Sequence, residues 1–141
     1  MYRRILVALE NSKADESLLP HITQLATIHR SELLLVHVAD GWVARNYDQL
    51  QLRDSQEMKD DRAYLERVAK DLRAAGLQVV THLALGDPPQ EILNTAREEH
   101  CELIALTTHG HRLLKDILLG STIDKVRHQS EIPLLIVRAS A

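Results

Sequence analysis

Leu103-Ile104-Ala105-Leu106-Thr107-Thr108-His109-Gly110, followed after nine residues by Gly120-Ser121-Thr122, is the stretch that decides how this chain is read. Leu103 to Leu106 is a short continuous apolar run, the pattern of a strand buried on both faces. The glycines after it allow backbone N–H groups to approach an anion closely. Ser121 with Asp124 three residues on is a capping-box-like start, so a helix is expected over Thr122 to Gln129, with unpaired N–H donors at its positive end. Strand, glycine-punctuated loop and capped helix together form a phosphate cradle from Gly110, Gly120 and the Ser121 hydroxyl. The same pattern also describes a flexible loop before an ordinary capped helix. Asp124 weighs against the cradle, because its charge at that helix start would oppose a phosphate.

Outward from this stretch, four more apolar runs stand out: Ile5–Leu9, Leu33–Val38, Val79–Leu83 and Leu134–Val137. Helical patterns separate them. Leu18, Ile22, Leu25 and Ala26 share one face over Ser17 to Ile28. Met58, Leu65, Val68 and Leu72 do so over Ser55 to Ala75, with Gly76 as the stop. Asp87-Pro88-Pro89 opens a third helix carrying Ile92, Leu93 and Ala96. The alternation predicts an open, five-stranded, mostly parallel α/β sheet with helices on both faces, and Ile5–Leu9 and Leu103–Leu106 as adjacent central strands. Pro20 leaves two boundaries open: a helix from Ser12 encloses it, whereas a cap at Ser17 puts it in the first turn. Asp40 to Asp54, with Trp42 and Tyr47, shows no periodicity and reads as a functional or mobile connection.

The 141 residues fit one domain, 1–141. Apolar residues are 45% and charged residues 26%, ordinary for a globular protein. Phe is absent, so the core must be aliphatic. A net charge of −3 argues against a nucleic-acid-coating surface. A single cysteine, Cys101, excludes an intrachain disulfide and suits a reducing compartment. No apolar stretch reaches membrane-spanning length, and the run after Arg4 is too short for a signal sequence, so a cytoplasmic protein without membrane insertion is expected.

These residues resemble the universal stress protein family. Ile5 to Ser12 is similar to its first strand and following loop, Leu34 to Val38 to its second strand, and Gly86-Asp87-Pro88 to its third-helix opening. Leu106 to Val126 resembles its nucleotide motif, and Pro133 to Val137 its last strand. The resemblance implies strand order 3-2-1-4-5, frequent dimerisation through the last strand, and an adenine nucleotide as ligand. ATP comes first, with AMP or another adenine nucleotide as options, and magnesium or manganese as companion ion. It carries binding roles onto Ala8, Leu9 and Glu10, Val38, Leu106 and Thr107, Gly110, Gly120, Ser121 and Thr122. Glu10, at the end of the first strand, would meet the ribose, and Val38 the adenine. Two positions depart from the family pattern. Thr107 stands where a glycine is expected, and Glu10 where an aspartate is usual.

Other residues carry less. His109 and His111 flank Gly110, but a third metal ligand is not evident, so no metal site is expected. Arg112, Lys115 and Lys125 could neutralise phosphates or form a solvated basic stretch. No lysine stands in a P-loop context. Cys101 reads as a packing residue rather than a reactive thiol. No nucleophile–histidine–carboxylate order or carboxylate pair marks a turnover site, so hydrolysis, if any, is expected to be slow. Two readings lead, a nucleotide-binding regulatory module and a nucleotide-independent dimeric scaffold, which Thr107 favours; an adenylyl-transferring or ATP-cleaving enzyme is a third, behind both. Either accommodates a further protein partner. Leu134, Leu135, Ile136 and Val137 would form an apolar sheet edge, which predicts a homodimer covering it.

Overall fold

A computed structural model describes residues 1–39, 51–108 and 114–140, with side chains throughout these except at 51–55 and 114–121. The elements are β1 (Arg4–Ala8), α1 (Asp15–His29), β2 (Glu32–Ala39), α2 (Gln51–Ala74), β3 (Gln78–Leu85), α3 (Pro88–Glu98), β4 (Leu103–Thr108), α4 (Leu114–Gln129) and β5 (Leu134–Arg138). The five strands form one sheet in the order β3-β2-β1-β4-β5, and every neighbouring pair is parallel. The predicted architecture and strand order therefore hold. All five apolar runs lie on strands, except that Leu9 falls one residue past β1, and β1 and β4 are adjacent, with Leu6 beside Ile104.

Strand alternation divides the core into two layers. Ile5, Val7, Leu33, Leu35, Leu103 and Ala105 face α1 and α2, packing on Leu18, Ile22, Ala26, Leu65 and Ala69. Leu6, Ala8, Leu34, Val36, Ile104 and Leu106 face α3 and α4, packing on Ile92, Leu93, Ala96 and Val126. Continuous apolar runs were needed because β1, β2 and β4 are covered on both sides. β3 is different: at the sheet edge its burial alternates, and Val80 is exposed. Gly76, at φ 95°, follows α2 in the left-handed region, as a glycine stop should. Pro88 opens α3, and Gly86 before it takes φ 139°, a backbone shape that L side chains rarely adopt.

Three boundaries differ from expectation. The first helix begins at Asp15, neither at Ser12 nor after a Ser17 cap. Tight turns, from Asp15 N–H to Ser12 O and from Glu16 N–H to Lys13 O, lead into it. Pro20 thus lies inside the helix, where it cannot donate to the Glu16 carbonyl. The second helix starts at Gln51, so the last four residues of the aperiodic stretch are helical. Trp42 and Tyr47 lie outside the described residues. The fourth helix starts at Leu114 rather than at Thr122. Gly120 and Ser121 are therefore inside a helix, and the capping-box reading of Ser121 is corrected. The run Leu114-Lys115-Asp116-Ile117-Leu118-Leu119 is made largely of strong helix formers. Their summed propensity outweighs a glycine's cost of about 1 kcal/mol. Asp124 accordingly sits within α4, paired with Arg127 at 3.2 Å, and not at a helix start.

Candidate functional site

The sheet order places a switch point between β1 and β4. The chain leaves β1 toward β2 and β3, then crosses over to β4 and β5. In open α/β sheets the loops diverge at such a point and leave a crevice at the carboxyl ends of the strands. A cleft of about 800 Å³ lies there. That is within the usual size of a small-molecule site. Its floor comes from the ends of β1, β2 and β4, and its walls from α2, α3 and α4.

Of the residues proposed from sequence, Ala8, Leu9, Glu10, Val38, Leu106, Thr107 and Thr122 all line this cleft. Gly110 lies outside the described residues, as do His109, His111 and Arg112. Gly120 and Ser121 are placed by backbone only, in α4. Of the three basic residues considered, Lys125 lines the cleft.

Thr107 is the informative member. It is 4% exposed, and its hydroxyl oxygen is buried with no hydrogen-bond partner among the described residues. A buried hydroxyl without a partner is costly. Because threonine lines the cleft floor, rotation about χ1 exchanges its hydroxyl with its methyl and lets a ligand atom recruit the donor. Among the described residues this donor is therefore unused, at a position where the sequence pattern had led one to expect a glycine.

The loop after β1 is held by a residue that sequence reading missed. Asp15 is buried, and its carboxylate accepts hydrogen bonds from Glu10 N–H at 3.0 Å and Asn11 N–H at 2.9 Å. The Tyr64 hydroxyl, from α2, donates to the same carboxylate. Burial first, then the hydrogen bond and negative charge of Asp15, pushes the Tyr64 phenol well above its ordinary pKa. Asn11 takes φ 57°, so this clamp stabilises a turn that would otherwise be strained. In Lys13-Ala14-Asp15-Glu16 the aspartate looks like one more solvated charge, and its tyrosine partner is far away in sequence.

A second bridge crosses the cleft wall. His37 Nδ1 donates to the Leu9 carbonyl at 2.9 Å, and its Nε2 lies 3.4 Å from Asp61 of α2. Asp61 also accepts from Asn11 Nδ2 at 3.0 Å. Both imidazole nitrogens are thus engaged, which suits a brace and not a free base. Glu10 accepts from Ser12 Oγ at 3.2 Å and turns its half-buried side chain to the cleft. Cys101 is buried in the α3/α4 layer, and burial pushes its thiol up to about 11. Among the described residues no cluster of His, Cys, Asp or Glu has metal-holding geometry, and no helix is long and apolar enough to cross a membrane.

The universal stress protein family model matches residues 1–138. Universal stress protein MJ0577 of Methanocaldococcus jannaschii is 28% identical over 155 residues, covering 98% of this chain and 96% of that protein. Its solved structure superposes with a TM-score of 0.86, covering 99% of this chain and 98% of that one. Universal stress protein YxiE of Bacillus subtilis is 30% identical over 151 residues, covering 98% of this chain and all of that protein. The fold also matches a universal stress protein from Archaeoglobus fulgidus in complex with dAMP. That match has a TM-score of 0.68 and 22% identity, covering 96% of this chain and 98% of that one.

Proposed function

The chain belongs to the universal stress protein family, and on that premise we propose that it is a single-domain, cytoplasmic, adenine-nucleotide-binding regulatory module. The observation that carries this reading is the unpartnered Thr107 hydroxyl at the floor of a ligand-sized cleft. In this reading the base packs against Val38, and the ribose meets Glu10 beside Ala8 and Leu9. The phosphate end lies toward Leu106, Thr107 and Thr122, and the family resemblance assigns Gly110, Gly120 and Ser121 to the phosphates as well. ATP, with magnesium or manganese, is the first ligand to test, and AMP the next. The dAMP bound to the Archaeoglobus relative supports adenine nucleotides as a class. Turnover is expected to be slow or absent: His37, the histidine among the described cleft residues, is held at both ring nitrogens.

A nucleotide-independent dimeric scaffold is the second reading. It is favoured by the side chain that Thr107 carries in place of a glycine. In both readings Leu134, Leu135, Ile136 and Val137 of β5 form the homodimer edge. Calorimetric titration with adenosine, AMP and ATP, together with extraction of nucleotide from the purified protein, separates the two. Binding in the micromolar range supports the module. No heat with any adenine nucleotide at millimolar concentration, and no co-purifying nucleotide, leaves the scaffold.

A further inference from the structure

We propose that Asp15, backed by Tyr64, is a positioning residue: it aims the Glu10 carboxylate at the sugar, so that the cleft requires the ribose hydroxyls of its ligand. The inference rests on the nucleotide reading above and deepens its ribose contact. Restraints converge on the turn that carries Glu10. Leu9 N–H donates to the Val36 carbonyl at 2.8 Å, and the Leu9 carbonyl accepts from His37. The N–H groups of Glu10 and Asn11 donate to the two oxygens of Asp15. The Asn11 side chain is tied to Asp61, which shares a face of α2 with Tyr64 three residues on. Thus α1, β2 and α2 each hold a group within one residue of Glu10.

Asp15 is 1% exposed. A buried carboxylate is costly unless it is well hydrogen-bonded, and three donors, two amides and the Tyr64 phenol, are directed at this one. What they fix is a shape. Asn11 takes φ 57°, which an L residue enters at a cost, and this sets the direction in which the chain leaves Glu10. The Glu10 side chain has one more torsion than the aspartate usual in the family, and ordering such an arm against a ligand costs affinity. With the backbone at 9, 10 and 11 already held, and Ser12 Oγ donating to Glu10 Oε2 at 3.2 Å, the arm starts from a fixed base. A carboxylate only accepts hydrogen bonds, and the donors of a ribose are its 2′ and 3′ hydroxyls. Such a contact forms only when the acceptor is held to within about 0.5 Å. Asp15→Asn keeps the size of the side chain but turns one of its two acceptor oxygens into a donor, so the turn loses one of its two anchors.

The test is calorimetric titration of the full chain with AMP and with 2′,3′-dideoxy-AMP, which lacks only the two hydroxyls. The wild type should bind AMP about ten- to a hundredfold more tightly, the worth of a hydrogen bond to a charged group. Asp15→Asn should cut that ratio at least about fivefold and Tyr64→Phe about two- to threefold, both leaving the dideoxy-AMP affinity as it was. Ile5→Val, a core truncation near the opposite end of β1, controls for lost stability and should leave the ratio unchanged. An unchanged ratio in Asp15→Asn, or an equal loss of both ligands, reduces Asp15 to a structural clamp and overturns the inference. If Asp15→Asn does not fold, Tyr64→Phe decides: a narrowed ratio upholds the inference and an unchanged one overturns it. A wild-type ratio near one also overturns it, while the nucleotide reading stands because both ligands bind. Failure of AMP and ATP alike to bind at millimolar concentration overturns both.

Discussion

Replacing Thr107 by valine should make the empty protein more stable and the nucleotide-bound protein weaker. Valine has nearly the same shape and suits a strand equally well, so the substitution isolates the hydroxyl. That oxygen is buried and unpartnered at the end of β4. Burying a hydroxyl without a hydrogen bond costs roughly 1–3 kcal/mol. Its removal should therefore stabilise the unliganded fold by about 1–2 kcal/mol, a rise in Tm of about 3–8 °C for a domain of this size. With nucleotide the sign reverses. A hydroxyl that bonds a charged phosphate oxygen contributes roughly 1.5–3 kcal/mol, so affinity should fall about ten- to a hundredfold. Thr107→Ser keeps the donor and should keep most of the affinity. The assays are denaturant unfolding of the unliganded protein and calorimetric titration of the same preparations. Valine binding as tightly as threonine would refute the assigned donor. A loss of unliganded stability would show that the hydroxyl is satisfied in solution.

Other outcomes follow from the same contacts. Asp15→Ala leaves two backbone N–H groups and the Tyr64 hydroxyl without their acceptor, and should cost about 2–4 kcal/mol in urea unfolding. In a double-mutant cycle with Tyr64→Phe it should show coupling of about 1 kcal/mol or more, and a purely additive cycle would dissolve the clamp. Tyr64 and Cys101 both have raised folded pKa values, so the folded state holds their protons more tightly than the unfolded chain does. Stability should be level in these groups below pH 9 and fall as pH rises above about 9 to 10, the unfolded thiol and phenol range. Tyr64→Phe with Cys101→Ala should flatten that slope, measured as the urea midpoint against pH. Ile136→Lys should give a monomer by light scattering, since Ile136 is 38% exposed on the edge strand β5; an unchanged soluble dimer would move the interface elsewhere.

The sheet was legible because parallel strands covered on both faces must be apolar at every position, and β1, β2 and β4 are written that way. β5 and β3 were found by the same signal although they are edges, where the burial pattern is looser. Val80 shows the difference: its run reads as core, yet the residue is exposed. The start of α4 was misread because a local cap signal at Ser121 was weighed above the helix formers preceding it. On the site, Glu10, Val38 and Thr107 were legible through family resemblance and their place at strand ends. Asp15, Asp61 and His37 were not, because their roles depend on contacts among α1, the loop after β1, β2 and α2 that no local spacing encodes. That α2 lends Glu57, Asp60 and Asp61 to the cleft lining was hidden for a related reason. Along the chain they form an ordinary solvated helix face, which becomes part of a cleft only when α2 is laid beside the end of β2.

The junction of β1 with β4 also governs when the cleft can exist. Leu6 pairs with Ile104, so the floor joins the two ends of a chain whose intervening length folds as the β2–β3 half of the sheet. A nascent chain that has emerged only through α3 has β1 with an open edge and no cleft. The final closure is a long-range event that must overcome the entropy of the whole intervening loop. A nucleotide touching Glu10 and Thr107 would span this seam like a staple, binding only the closed form. At a concentration about a hundred times its Kd, it would hold the seam shut by about 2.7 kcal/mol. Occupancy would then set the lifetime of the protein against proteolysis.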